Sequence, residues 1–443
     1  MSRAIMDPMF NYSPFQQRRL RLAQQITRGV AIVCTAPERT RNRDTHHPYR
    51  FDSYFYHLTG FTEPEAVLLI VAGDKPRHLL FCRDKNLDRE IWDGFRFGPQ
   101  AAQVHFGFDE AYSIDQLDTI VPDLLVDQPA VFTHLGADTD WDSRVWHWIN
   151  TVRNRARSGV HAPRDVIDVH TLLDEMRLFK DPHELELMRK AALISSGAHE
   201  RAMMTTRPGL TEYAIEAELL HEFRRWGAQA PAYPSIVASG ANACVLHYIN
   251  NNAPLKEGDL LLIDAGCEVD GYASDITRTF PINGRFNAAQ KTLYNLVLAA
   301  QSAAIAQVKP GQSWNAPHEA AVQVLTQGFI DLDLLQGSVD EAIEKQTYQS
   351  FYMHRTGHWL GLDVHDAGDY KPEGQWRPLA PGMVLTVEPG CYIRPGPKIP
   401  PELENIGIRI EDDVLVTESG HEVLTTCAKT IEQIETLMAA PHH

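Results

Sequence analysis

The chain has 443 residues, room for about two to four domains of ordinary size, each able to bury a real core. Hydrophobic residues make up 44% and charged residues 22%, with 28 Gly and 27 Pro, which excludes bulk disorder, fibrous repeats and a small disulfide scaffold. The 41 Lys and Arg against 58 Asp and Glu leave a net charge of −17, so nucleic acid and anionic membrane surfaces are not expected partners.

The longest clear apolar run, Ala66 to Ala72, is far short of the ~18 residues a membrane helix needs. The first 25 residues lack an apolar stretch followed by a small-residue cleavage site, so no secretory signal is read and a cytoplasmic location is expected. Six cysteines (Cys34, Cys82, Cys244, Cys267, Cys391, Cys427) are widely spaced without a C-x-x-C pair, as expected of reduced, mostly buried thiols.

In chain order, Gly29 to Ala36, Glu65 to Ala72, Arg77 to Cys82 and Ala130 to Leu135 read as strands between helical stretches, predicting an α/β domain over residues 1–176. The aromatic segment RNRDTHHPYRFDSYFYHLTGFTEPEA reads as a loop packed on that sheet. Asp181-Pro182-His183-Glu184 supplies a helix cap, a first-turn Pro and a returning acid. The stripe Leu185, Met188, Ala192, Ser195, Ala198, Ala202 continues that helix until Pro208-Gly209 stops it. A second domain, 177–443, is placed from there.

Within the second domain the chain repeats itself. Two long helices end in Arg207-Pro208-Gly209 and Lys309-Pro310-Gly311, and each is followed by another helical stretch. Downstream, GDLLLIDAG (258–266) aligns without gaps on GMVLTVEPG (382–390); both are strands that end in a carboxylate and a Gly. Two similar helix, helix, strand halves predict packing about a pseudo-twofold, with the sheets joined, the helices behind and the carboxylates facing one another.

Alternation along Ala273–Phe280 puts Asp275, Thr277 and Thr279 on one face. Along Ile406–Glu411 the three isoleucines take the core face and leave Arg409 and Glu411 on the other. Taken singly, an acid at a strand end is commonly a turn acceptor or a surface charge. Together, Asp264, Asp275, Glu388 and Glu411 sit on apolar strands where unpaired charge costs several kcal/mol. Arg409 alone does not balance four negative charges, whereas two divalent cations do, with His358 as one nitrogen ligand. His247, His354 and His365 are weak signals individually, since a histidine among apolar neighbours is often just hydrogen-bonded in a core.

The segments DAGCEVDGYASDITRTFP, HRTGHWLGLDVHD, VLTVEPGCYI and IGIRIEDD resemble the metallopeptidase family with the pita-bread fold, most closely its bacterial aminopeptidase P branch, over about residues 177 to 430. YRFDSYFYHLTGFTEPEAVLLI is similar to the first domain of that branch and of prolidases, so the resemblance covers nearly the whole chain. It implies an N-terminal creatinase-like α/β domain and a C-terminal pita-bread (pseudo-twofold α+β) catalytic domain. Asp264 and Asp275 are implied as ligands of one Mn²⁺, with Asp275 and Glu411 bridging to a second ion held by His358 and Glu388. Co²⁺, Fe²⁺ and Zn²⁺ suit the same donors.

The implied activity is that of a proline-specific exopeptidase releasing the residue before a proline at position two, through a hydroxide that bridges two metals and attacks the peptide carbonyl. Glu388 is expected to shuttle the proton to the proline nitrogen. His365 and His247 are expected to stabilise the oxyanion, His354 to face the substrate, and Arg409, Tyr392 and Tyr233 to support the site. The free α-amino group of the substrate is expected to be recognised by a metal or by Asp264. Peptides with proline second are the expected partners. A dipeptide-only prolidase is the alternative, and a non-catalytic scaffold of the same fold a distant one, disfavoured because no ligand is missing. Arg355-Thr356-Gly357 and Val269-Asp270-Gly271 depart from the family pattern without removing a ligand, which bears on the pocket wall. A homo-oligomer, dimer or tetramer, is implied, with Glu90-Ile91-Trp92 in a loop that either caps a neighbouring subunit's site or packs on its own surface.

Overall fold

The computed structural model describes residues 12–136 and 138–440. Residues 1–11, part of the stretch read as lacking a signal, lie outside them. The chain forms two compact units, Met1–Met176 and Arg177–His443.

The first unit is built on a six-stranded mixed sheet. Its strands are β1 (Gly29–Cys34), β2 (Val67–Ala72), β3 (Arg77–Cys82), β4 (Glu110–Ser113), β5 (Ala130–Thr133) and β6 (Asp165–Asp168), in the order β4-β3-β2-β1-β5-β6. Ala31, Val33, Leu68 and Ile70 enter one core, and Val30, Ile32, Val67 and Leu69 enter another on the opposite face. Burial on both faces explains why these strands read as continuous apolar runs. The two strands that sequence reading passed over, β4 and β6, are short and only half-buried or exposed, so they carry no such run. The aromatic segment expected as a loop contains the helix Ser53–Thr59, capped by Asp52, whose carboxylate accepts from the Phe55 N–H at 2.8 Å.

The second unit opens with helix Pro182–Thr205, whose Asp181/Glu184 capping box is formed as expected. Its buried face is wider than the predicted stripe: Leu187, Ala191, Ile194 and His199 join it, while Leu185 is half-buried. This helix pairs with Glu212–Arg225, and Ala288–Ile305 pairs in the same way with Ala316–Asp331. The strands repeat as well. In the first half, β7 (Ile236–Ser239), β8 (Leu260–Asp264) and β9 (Thr277–Pro281) form an antiparallel ladder, β7-β8-β9. In the second half, β10 (Val384–Val387), β13 (Asp412–Val416) and β14 (His421–Val423) form another, with β11 (Gly390–Ile393) and β12 (Ile406–Arg409) as a separate pair.

The expected joined sheet is therefore divided into ladders. The division has a physical cause: at the breaks the backbone N–H groups turn to other acceptors. Asp275 N–H donates to the Asp413 carboxylate (3.2 Å) and Glu388 N–H to Thr356 O (2.8 Å), while Glu411 N–H to Thr277 O (3.0 Å) is a backbone bond that still crosses between the halves. Asp275 thus lies just before β9 and not on it, and Glu388 and Glu411 likewise lie one and two residues past their strands. All six cysteines are free thiols, five of them buried. No helix among the described residues is long and apolar enough to cross a membrane.

Candidate active site

Each acid is delivered by a strand end. In the ladder registers Asp264 faces Thr277 across β8 and β9, while Val387 faces Asp412 across β10 and β13, so the two halves bring matching ends to one place. Gly266 is required there, because a Cβ on it would lie 1.8 Å from Ser274 O in the chain leading to Asp275.

A cleft of about 1260 Å³ opens over these ends. It is lined by Asp264, Asp275, Glu388, Glu411, His358, His247, His354, His365, Arg409 and Tyr233. Of the proposed ligand, catalytic and supporting residues only Tyr392 lies outside the lining; of the segments expected to bear on the pocket wall, Arg355 and Gly357 line it and 269–271 do not. Tyr392 stands behind the lining, its hydroxyl 2.8 Å from His354 Nε2 and accepting from Arg409 at 2.9 Å.

Ligand atoms of Asp275, His358 and Glu411 lie within 4.8 Å of one another, the spacing of groups that share one cation. His358 Nε2 is 3.4 Å from Asp275 and 3.6 Å from Glu388, and its Nδ1 meets the Trp359 carbonyl at 2.9 Å, which turns Nε2 toward the acids. Asp264 stands apart from this trio: Arg409 donates to it at 2.6 Å and Tyr233 at 2.7 Å, and the same tyrosine hydroxyl also donates to Asp275.

The electrostatics are those of a site short of positive charge. Burial, then repulsion from Asp275, Glu388 and Asp264, holds the Glu411 carboxyl well above its ordinary range. Burial also lifts Glu388 to about 7, with Asp275 adding to the shift and His358 opposing it. Burial works against a charged His358, but hydrogen bonding to Asp275 and the charge of Glu388 prevail and raise it to about 9. Burial and the nearby Arg409 depress His354 to about 3, so it is neutral at physiological pH. Four clustered carboxylates with oxygen donors to spare, one imidazole and only Arg409 and His358 set against their charge among the described residues suit a pair of divalent metals.

Sequence reading did not single out several residues that hold the acids. Asp413 accepts from the Asp275 N–H, and the Thr277 hydroxyl donates to Glu411 at 2.6 Å. Thr386 donates to Glu388 at 3.2 Å. Thr277 carried a signal, since it shares the predicted polar face with Asp275. Asp413 and Thr386 carried none, because neighbouring polar residues on a strand are ordinarily solvated.

Comparisons with known proteins show the family of the chain. Residues 186–418 match the family described as Metallopeptidase family M24, and residues 15–132 match Aminopeptidase P, N-terminal domain. The chain is 44% identical over 430 residues to the Xaa-Pro aminopeptidase of Escherichia coli (strain K12), covering 96% of this chain and 97% of that one. It is similar to the structure of Pseudomonas aeruginosa aminopeptidase PepP, with a TM-score of 0.95, 50% identity, and 97% and 98% of the two chains covered. It is likewise similar to zinc-substituted E. coli aminopeptidase P in complex with product, with a TM-score of 0.94, 43% identity, and 97% and 98% covered.

Proposed function

The chain belongs to metallopeptidase family M24, and on that premise we propose how its cleft performs the reaction of an Xaa-Pro aminopeptidase. It is a metal-dependent hydrolase that releases the N-terminal residue of peptides with proline second. The single observation that carries this reading is the convergence of Asp264, Asp275, His358, Glu388 and Glu411 on one cleft, with Asp264 and Glu388 brought there by two copies of the same strand motif.

The residues that would hold the cations are Asp264 and Asp275 for one, and His358 and Glu388 for the other, with Asp275 and Glu411 shared. Asp264 would take up its part by sharing the oxygens that Arg409 and Tyr233 now contact. When bound, two divalent cations supply a nucleophile that is deprotonated near neutral pH and neutralise charge on the carbonyl oxygen. Mn²⁺ is the ion we propose first, and Co²⁺, Zn²⁺ and Fe²⁺ fit the same donors.

The protein groups do the rest. Glu388, held near neutral pKa by burial, accepts the proton from the nucleophile and passes it to the departing proline nitrogen. His365, exposed in the cleft beside His358 at a ring separation of 4.3 Å, donates to the oxyanion, with His247 on the cleft wall in the same role. His354, neutral and tied to Tyr392, faces the substrate, while Arg409 and Tyr233 orient Asp264 and Asp275. An X-Pro bond has no N–H and a fixed φ, so a site that reads neither an amide proton nor a flexible strand is required. Longer peptides are preferred to dipeptides because the cleft extends well past the acids to Trp314, Lys371 and Trp376.

Two further features fit a cytoplasmic homo-oligomer, dimer or tetramer. The six free thiols suit a reducing compartment. Glu90, Ile91 and Trp92 lie on a helix, Leu87–Asp93, rather than the expected loop, because Asn86 caps it and accepts from the Arg89 N–H at 3.0 Å. No residue of that helix is buried, and Trp92 is 83% exposed, so it does not pack on its own surface and suits contact with a second copy. Metal-stripped protein resupplied separately with Mn²⁺, Co²⁺, Zn²⁺ and Fe²⁺ tests the reading: hydrolysis of an Xaa-Pro-Yaa peptide returns with at least one of them, and its failure with all four overturns it.

A further inference from the structure

Arg177, Lys180 and Asp366 form a buried ionic cluster away from the metal-binding acids. Each side chain is 1% exposed. Arg177 Nη2 donates to Asp366 Oδ1 at 2.5 Å and to Asp363 at 2.7 Å, and Lys180 Nζ donates to Asp366 Oδ2 at 2.9 Å. A buried ion pair adds little stability compared with apolar residues of the same volume, so its geometric effect is the more telling one.

That effect falls on the loop 359–366, which carries His365. Asp366 N–H donates to the Trp359 carbonyl at 2.9 Å, the same oxygen that receives His358 Nδ1. The Asp366 carboxylate also accepts from the Asp363 N–H at 3.2 Å, closing the loop on itself. Gly361 lies so close that a Cβ would stand 2.3 Å from Asp366 Oδ2, and its carbonyl accepts from Ala273 N–H at 2.8 Å, in the strand leading to Asp275. Lys180 is anchored in turn, its N–H donating to Gly382 O at 2.8 Å just before β10. The His365 ring has no hydrogen-bond partner among the described residues and only an edge-on contact with His358, so its place depends on its main chain.

We propose that Asp366, clamped between Arg177 and Lys180, is a positioning residue for His365, holding the loop so that this imidazole meets the oxyanion of the scissile bond. The inference rests on the role given to His365 above.

Asp366→Asn keeps the side-chain shape and removes the charge. The expected result is a fall in kcat of about tenfold or more, with KM and the Mn²⁺ Kd within about threefold of the parent chain. In a His365→Ala background the same change alters kcat by less than about twofold, because the clamp acts through that ring. A crystal structure of Asp366→Asn is expected to show the His365 ring out of its edge-on contact and His358 in place. Equal losses of kcat in both backgrounds, or an unmoved His365 ring, overturn the proposal. If the parent chain cleaves no Xaa-Pro peptide, the functional reading fails, and the ring position in the variant still decides the clamp. Should Asp366→Asn not fold, Lys180→Met, which leaves the Arg177–Asp366 pair, carries the same expectations.

Discussion

Glu411 and Thr277 are joined twice: the Glu411 N–H donates to the Thr277 carbonyl at 3.0 Å, and the Thr277 hydroxyl donates to the Glu411 carboxylate at 2.6 Å. One residue follows a strand of the second half and the other begins a strand of the first. A link between the halves is thus made at the cleft acids, so the fold and the proposed site share the same few hydrogen bonds. Thr277→Val keeps the shape and removes the hydroxyl, leaving Glu411 without its donor. It is expected to cost about 1–3 kcal/mol in thermal unfolding and to weaken Mn²⁺ binding measured by calorimetry.

Glu388→Ala removes the proposed proton carrier and one ligand. Turnover is expected to fall to background while circular dichroism and melting temperature stay near those of the parent chain, because the Glu388 side chain lines an open cleft. Retained turnover would assign the proton transfer to another group.

Cation binding is expected to release protons. In the metal-free site His358 is raised to about 9 by Asp275 and Glu388, so at neutral pH it holds a proton that a metal must displace, and burial with the neighbouring acids holds the Glu411 carboxyl well above its ordinary range, which favours its protonated form in the same competition. Raising the pH removes that competition, so Mn²⁺ affinity rises with pH and falls as the solution is acidified. Calorimetric titrations in buffers of different ionisation enthalpy measure the released protons directly. A heat independent of buffer would contradict the arrangement.

The acids of the cleft were legible in the sequence because each of Asp264 and Glu388 closes a copy of the same apolar strand, and repetition singles out what one acid does not. The partners of those acids were not. Asp275 reads as a strand residue by alternation, yet its N–H is taken by Asp413 and the ladder starts two residues later. Register is set by such side-chain acceptors, which no periodicity records. The same limit applies to Arg177 and Asp366, 189 residues apart and each an ordinary charged residue locally.

Asp412 supplies a stability prediction with a pH sign. It is fully buried, and although burial opposes its charge, Arg278 at 2.7 Å and Lys429 at 2.5 Å hold its carboxyl below the ordinary range. A depressed folded pKa gives stability that is present above the unfolded value of about 3.9 and lost as pH falls through the folded one. Asp412→Ala is expected to cost about 3–5 kcal/mol near neutral pH by leaving Arg278 unpaired, a gap that narrows below about pH 4. Denaturant unfolding at the two pH values checks both parts.

Gly266→Ala is expected to disturb the site through the backbone. The added methyl meets Ser274 O, so the chain carrying Asp275 must move, at about 1–3 kcal/mol of unfolding stability and with weakened Mn²⁺ binding.

Mass-spectrometric product analysis of metal-stripped protein, with and without Mn²⁺, tests the central claim most directly. The substrates are an Xaa-Pro-Yaa tripeptide, the matching Xaa-Pro dipeptide and an Xaa-Ala-Yaa control. Metal-dependent release of Xaa from the tripeptide, with the control left intact, is the predicted result. Cleavage of the dipeptide alone would make the enzyme a prolidase, and no cleavage of any substrate would contradict the account.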